Sequence, residues 1–150
     1  MKHFNTGVEE LDKLLGESGL SSDELVEVSG QSGAGKTYFC LKMVSLALLE
    51  KDVAAIYVDT SNYVNADNIN LCVKNFMNDS DHKAKADRAQ ETLGRLRVIK
   101  IFNLDELLVL LAMILEQLRS KKLTFDLRLI VIDSLSSLFA PVPHKQHQYF

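Results

Sequence analysis

The sequence predicts an α/β fold in which a parallel sheet is covered by helices on both faces. Three observations carry this. Short apolar runs rich in β-branched residues recur at 25–29, 53–58, 96–101 and 127–132, each of strand length. The stretches between them place apolar residues at helical spacing, so strands alternate with helices and right-handed crossovers follow. A glycine-rich octapeptide, Gly30-Gln31-Ser32-Gly33-Ala34-Gly35-Lys36-Thr37, links the first run to the first long helical stretch. Together these give three layers, helix over sheet over helix.

Taken in order, Thr6-Gly7-Val8-Glu9 has the form of a capping box, with Thr6 at the N-cap, and opens a short helix to residue 15. Residues 16–23 form a turn. The run 25–29 is expected to be a buried strand, followed by the glycine turn and a helix over 38–50. Residues 53–58 suit a parallel strand covered on both faces. Residues 59–65 turn into a helix over 67–77 with Ile69, Val73 and Phe76 on one face. Residues 78–91 are polar and charged, a helix extension or a connection, whose Lys83, Lys85 and Arg88 either touch an acidic partner or, as is expected, lie on a solvated face. After the strand at 96–101, Asn103 and Glu106 cap a long helix over 104–119. Its expected core stripe is Leu107, Leu108, Leu111, Leu115 and Leu118. The last strand, 127–132, ends in Asp133-Ser134.

With 150 residues the chain is one domain by length: a core over 1–140 and an unstructured tail over 141–150, where His144 and His147 are solvated rather than ligands. Hydrophobic residues make up 47% and charged residues 25%, an ordinary globular balance. The net charge of −3 argues against broad adhesion to nucleic acid, so such contact would come from a local basic patch or from partner subunits. Cys40 and Cys72 sit in apolar helical contexts without metal-ligand spacing and read as core thiols of a reducing compartment. The start of the chain is polar, and the longest apolar run, 107–115, is too short to span a bilayer. A soluble, intracellular protein without a membrane partner is expected.

The octapeptide fits G-x-x-x-x-G-K-[ST], the phosphate-binding loop of nucleoside triphosphatases. Strand, glycine turn and helix aim successive backbone N–H groups at a phosphate on a helix N-terminus. Residues Gly30, Gln31, Ser32, Gly33, Ala34, Gly35, Lys36, Thr37 and the adjoining Tyr38 are therefore the candidate nucleotide site. Lys36 would reach the β- and γ-phosphates of ATP, and the Thr37 hydroxyl would take a Mg²⁺ position. Asp133, at the carboxyl end of a buried hydrophobic strand downstream of such a loop, has the Walker B form and would orient Mg²⁺ through water. Ser134 either senses the γ-phosphate or caps the next turn. Hydrolysis needs a further group to orient or deprotonate water, and Asp59, Thr60, Ser61 and Asn62 are the candidates at the neighbouring strand end. Asp59 is the one carboxylate among them and the candidate catalytic residue, unless it is held structurally.

Thr6-Gly7, Leu11-Asp12 and Leu14-Leu15-Gly16 resemble the T-G-x-x-x-L-D-x-L-L-G opening of RecA-type ATPase cores. Ile56-Tyr57-Val58-Asp59-Thr60, the octapeptide and Ile130-Val131-Ile132-Asp133-Ser134 follow in that family's order. Within the family the chain is most similar to the eukaryotic recombinase paralogues that assist homologous recombination, and most like the D-type paralogue. The same opening occurs in circadian-clock ATPases of the superfamily. The resemblance implies a three-layer RecA-like core truncated after the Walker B strand, since family cores continue into DNA-binding loops and further strands. It also implies a strand between the P-loop strand and the Walker B strand. Without it, those two strands either pair directly or leave a gap with exposed edges. Two family features are not matched. Ser61 stands where active recombinases have a water-activating Glu, and Asn65 stands where they have an adenine-stacking Arg. The F-x-x-A polymerisation tetrapeptide does not occur.

The resemblance thus implies an ATP-binding subunit of a homologous-recombination complex. Nucleotide and Mg²⁺ would act as an assembly switch with weak or no hydrolysis by the chain alone. Its partners would be other paralogue subunits and DNA, single-stranded, reached through the complex, in the nucleus. Two other readings stand beside it: an ATPase or phosphotransferase using Asp59 as base, and a docking module or truncated product that no longer binds nucleotide.

Overall fold

The computed structural model describes residues 3–16, 19–21, 24–76, 82–121 and 124–139. The expected tail at 141–150, with His144 and His147, lies outside them, as do Met77 and residues 78–81. Element order is β1 (His3–Phe4), α1 (Glu9–Leu14), β2 (Leu20–Ser21), α2 (Lys36–Leu49), β3 (Val53–Asp59), α3 (Ala66–Phe76), α4 (His82–Leu93), β4 (Leu96–Lys100), α5 (Leu104–Arg119) and β5 (Asp126–Asp133), closed by a 3₁₀ turn at Leu135–Phe139. Strands β1 and β2 form a small antiparallel ribbon around α1. The main sheet is parallel, in the order β4-β3-β5.

Central position explains the composition of β3. Its side chains alternate between two covered faces, so both must be apolar. Ala55 and Tyr57 pack with Leu41, Val44 and Leu48 of α2, with Ile69 and Val73 of α3 and with Val131 of β5, while Val53 packs with Met43 and Ala47 of α2 and with Phe4. Ile56 and Val58 face the other way, against Leu104, Leu107 and Leu110 of α5. The three expected layers are present. The cap on α5 forms as predicted: Asn103 Oδ1 accepts the Glu106 N–H at 2.9 Å, and Glu106 Oε2 accepts that of Phe102 at 3.0 Å.

Three expectations are corrected. The run 25–29 forms no strand. Leu25 is fully exposed, Val26 and Val28 are exposed, and β5 has no strand on its outer side among the described residues. An apolar, β-branched run becomes a strand only beside a partner, and no described strand bridges β5 to this segment. The gap with open edges is the outcome, not direct pairing. The stripe expected on α5 is also rotated. Leu107 and Ile114 are buried, whereas Leu108, Leu111, Leu115 and Leu118 are exposed. That helix is apolar nearly all round, so spacing alone does not select its buried face. Finally, Thr6 does not cap α1. Gly7, at φ 68°, turns the chain first, and Val8 is the N-cap. The Thr6 hydroxyl accepts the Val8 N–H at 3.2 Å, and Asp12 Oδ1 reaches back to the Thr6 N–H at 2.7 Å. Asp12 takes the reciprocal role expected of Glu9, which pairs with Lys13 instead.

Helix α2 is fastened to the sheet at its far end by Arg95. Its guanidinium donates to the carbonyls of Leu48 (2.9 Å), Glu50 (2.7 Å) and Val53 (2.8 Å), at the C-terminus of α2 and the start of β3. A cation there also meets the negative end of the helix dipole. Arg95→Ala is expected to destabilise the fold by about 2 kcal/mol, and Arg95→Lys to recover only part of that because the fork geometry is lost. Urea unfolding midpoints at unchanged slope measure both.

Candidate nucleotide-binding site

The octapeptide is a solvent-exposed turn running into α2. Gly33 (φ 80°) and Gly35 (φ 87°) lie in the left-handed region, where a side chain strains the backbone although nothing crowds the space around them. Gly35 is the N-cap of α2 and no side chain caps it. The first N–H groups of the helix have no acceptor within it and face a positive dipole end, which together favour an anion. Lys36 Nζ donates to the carbonyls of Gly30 and Gln31, both at 2.8 Å, so the ammonium is held across the mouth of the loop. Ala34 N–H closes the turn onto Gln31 O at 3.2 Å. Thr37 is half-buried and Tyr38 exposed, both in the first turn.

Parallel register sets Asp59 of β3 opposite Asp133 of β5 at the carboxyl ends of the strands. Asp133 shares the α2-facing side with Val131, two residues before it. Burial, and then the charge of Asp133, push the Cys40 thiol up to about 11. Strand alternation therefore puts the carboxylate on the face of β5 that packs, through Val131, against Leu41 and Val44 of α2. Tyr57, fully buried, donates its hydroxyl to Asp133 Oδ2 at 2.7 Å. Burial first, and this bond second, push the phenol far above its ordinary range.

The two aspartates differ. Asp59 is fully buried and accepts from Ser61 N–H (3.0 Å), Ser61 Oγ (3.2 Å), Tyr63 N–H (3.4 Å) and Val64 N–H (3.0 Å). Burial alone would raise its pKa, but these bonds, that of Val64 first, hold it below the ordinary value. It is the anionic knot of the loop after β3. Thr60 is also a fastener: its hydroxyl accepts the Ser134 N–H at 2.8 Å and donates to Ser134 O at 2.7 Å. Asn65 Oδ1 caps α3 through the Asn68 N–H at 2.8 Å, and Asn62 pairs with Lys100. Tyr57 was not singled out from the sequence. The available signal was a phenol in a doubly covered strand, since a buried hydroxyl needs a partner.

Among the described residues no group of three or more His, Cys, Asp and Glu is placed to hold a metal. A divalent ion here would rest on Thr37, Asp133 and the phosphates of its nucleotide. Hydroxyl and carboxylate oxygens fit Mg²⁺, which prefers oxygen ligands and keeps several waters. A cavity of about 470 Å³ is lined by Asn5, Gly7, Glu9, Asp12 and Lys13 and includes no part of the octapeptide. Residues 30–35 of the octapeptide are exposed, as are residues 25–29 before them. No helix among the described residues is long and apolar enough to cross a membrane.

Asp59 generates a pH prediction. Its folded pKa is depressed below 3.8, so its stabilisation is complete at neutral pH and is lost as pH falls through the lower folded value. Asp59→Asn is expected to cost about 2 kcal/mol or more at pH 7, with the gap from the unsubstituted chain closing at acid pH. Urea unfolding across pH measures it.

Residues 4–147 match the family described as "ATPase: KaiC". Over 145 residues the chain is 31% identical to the DNA repair and recombination protein RadA of Methanoculleus marisnigri, covering 93% of this chain and 43% of that protein. It is 28% identical to DNA repair protein RAD51 homolog 4 of Bos taurus, covering 93% and 41%. It is also 28% identical to the probable DNA repair protein RAD51 homolog 4 of Dictyostelium discoideum, covering 93% and 48%. The chain spans less than half the length of each of these relatives. The match over nearly its whole length, on a parallel α/β sheet with a glycine loop at a helix N-terminus, makes this chain a member of the KaiC-like ATPases of the RecA-type recombinase family.

Proposed function

We propose that this chain is an ATP-binding subunit of a recombinational DNA-repair assembly, in which nucleotide and Mg²⁺ act as a conformational switch and hydrolysis by the chain alone is weak or absent. The observation that carries the reading is the uncapped N-terminus of α2, with Lys36 held across the loop and Asp133 on the α2-facing side of β5. Phosphates would displace Lys36 from the Gly30 and Gln31 carbonyls and gather the free N–H groups of the first turn. Thr37 and Asp133 would hold Mg²⁺, which supplies positive charge between the phosphates.

The weakness of hydrolysis follows from how the candidate bases are engaged. All four Asp59 bonds lie within its own loop, and Ser61, at the position of the family's Glu, donates its hydroxyl to Asp59. Neither is disposed to take a proton from water. Other paralogue subunits and single-stranded DNA are the partners we propose, and the nucleus the location. The relatives above are DNA repair proteins, which supports the recombinational part of the reading.

Thermal unfolding with and without ATP–Mg²⁺ tests the proposal. Ligand at 100 times its Kd adds about 2.7 kcal/mol, which for this size is a rise of roughly 5–10 °C. The rise is expected to vanish in Lys36→Ala. A folded sample that shows no rise would overturn nucleotide binding and leave the docking reading.

A further inference from the structure

We infer that Tyr57 is a positioning residue for Asp133, holding its carboxylate in the orientation that receives Mg²⁺; the inference rests on the nucleotide-binding reading above. Three observations support it. Tyr57 sits at the centre of the sheet, is wholly excluded from solvent, and its ring is fixed by packing in the main core cluster. Its hydroxyl donates to one carboxylate oxygen of Asp133, at 2.7 Å. The other oxygen, Oδ1, accepts no hydrogen bond from the described residues and is not among their buried, unpartnered atoms, while Asp133 keeps 8% exposure. One oxygen is thus tied to the core and the other is left for a ligand.

Geometry makes this tie informative. Tyr57 pairs with Val131 in the parallel register, two residues before Asp133, so the phenol reaches along the sheet to the strand end. Asp133 has two side-chain torsions, and without an anchor its carboxylate turns freely at the strand end. A buried phenol cannot leave its hydroxyl unpaired, so the carboxylate is held as firmly as the ring. Partners that orient a metal-binding carboxylate typically change metal affinity by about 10–100-fold.

Tyr57→Phe keeps the ring and removes only the hydroxyl. Binding of a fluorescent ATP analogue to the full chain is measured first in EDTA and then across a MgCl₂ titration. The expected result is unchanged affinity in EDTA and a Mg²⁺ midpoint raised about tenfold. In the Asp133→Asn background, Tyr57→Phe is expected to add nothing further. A wild-type Mg²⁺ midpoint in Tyr57→Phe overturns the inference alone. Equal weakening with and without Mg²⁺ also overturns it, since that is the mark of general loosening. A Tyr57→Phe chain that does not fold would make the hydroxyl a fold determinant and overturn it too. Failure of the unsubstituted chain to bind the analogue removes the nucleotide reading itself.

Discussion

Parallel pairing of β3 with β5 is the constraint on which the rest depends. It sets Tyr57 beside Val131 and Asp59 beside Asp133. Because side chains alternate along a strand, a one-residue slip of β5 would turn Asp133 away from α2, and one of β3 would turn Tyr57 out of the core. The register is protected by what it buries. Tyr57 and Val58 are both fully excluded from solvent and lie on opposite faces, so neither face tolerates the exchange. The same pairing builds the two faces against which α2 and α5 pack.

Polar groups at those strand ends divide into two kinds. Asp59 and Thr60 are consumed in holding loops: Asp59 gathers the N–H groups of Ser61, Tyr63 and Val64, and Thr60 binds both sides of the Ser134 backbone. Asp133 and the octapeptide are the groups with capacity left. In the proposed reading the uncapped N-terminus of α2 and Asp133 would take the nucleotide and its ion, while Asp59 and Thr60 hold the loops together.

Much of this was legible in the sequence, and the failures have physical causes. The octapeptide was readable because its glycines answer a backbone requirement, seen in the left-handed Gly33 and Gly35. Strands β3, β4 and β5 were readable because their apolar, β-branched runs lie within the paired sheet. The Asn103 cap was local and formed as expected. Residues 25–29 were misread because burial of a strand depends on a neighbour rather than on its own composition. The α5 face was misread because Leu108 and Leu111 are as apolar as Leu107, so the sheet chooses among them. Thr6 lost its capping role to Asp12, a competitor that pattern matching does not weigh. The Tyr57–Asp133 bond joins residues 76 positions apart and needs the register before it can be seen.

Amide hydrogen exchange with and without ATP–Mg²⁺ tests the central claim most directly, because it reports where the ligand sits. Protection is expected at 30–40 and around Asp133–Ser134, with little change at the cavity formed by Asn5, Gly7 and Asp12. Bound nucleotide with unchanged exchange at 30–40, or with protection centred on that cavity, would contradict the account.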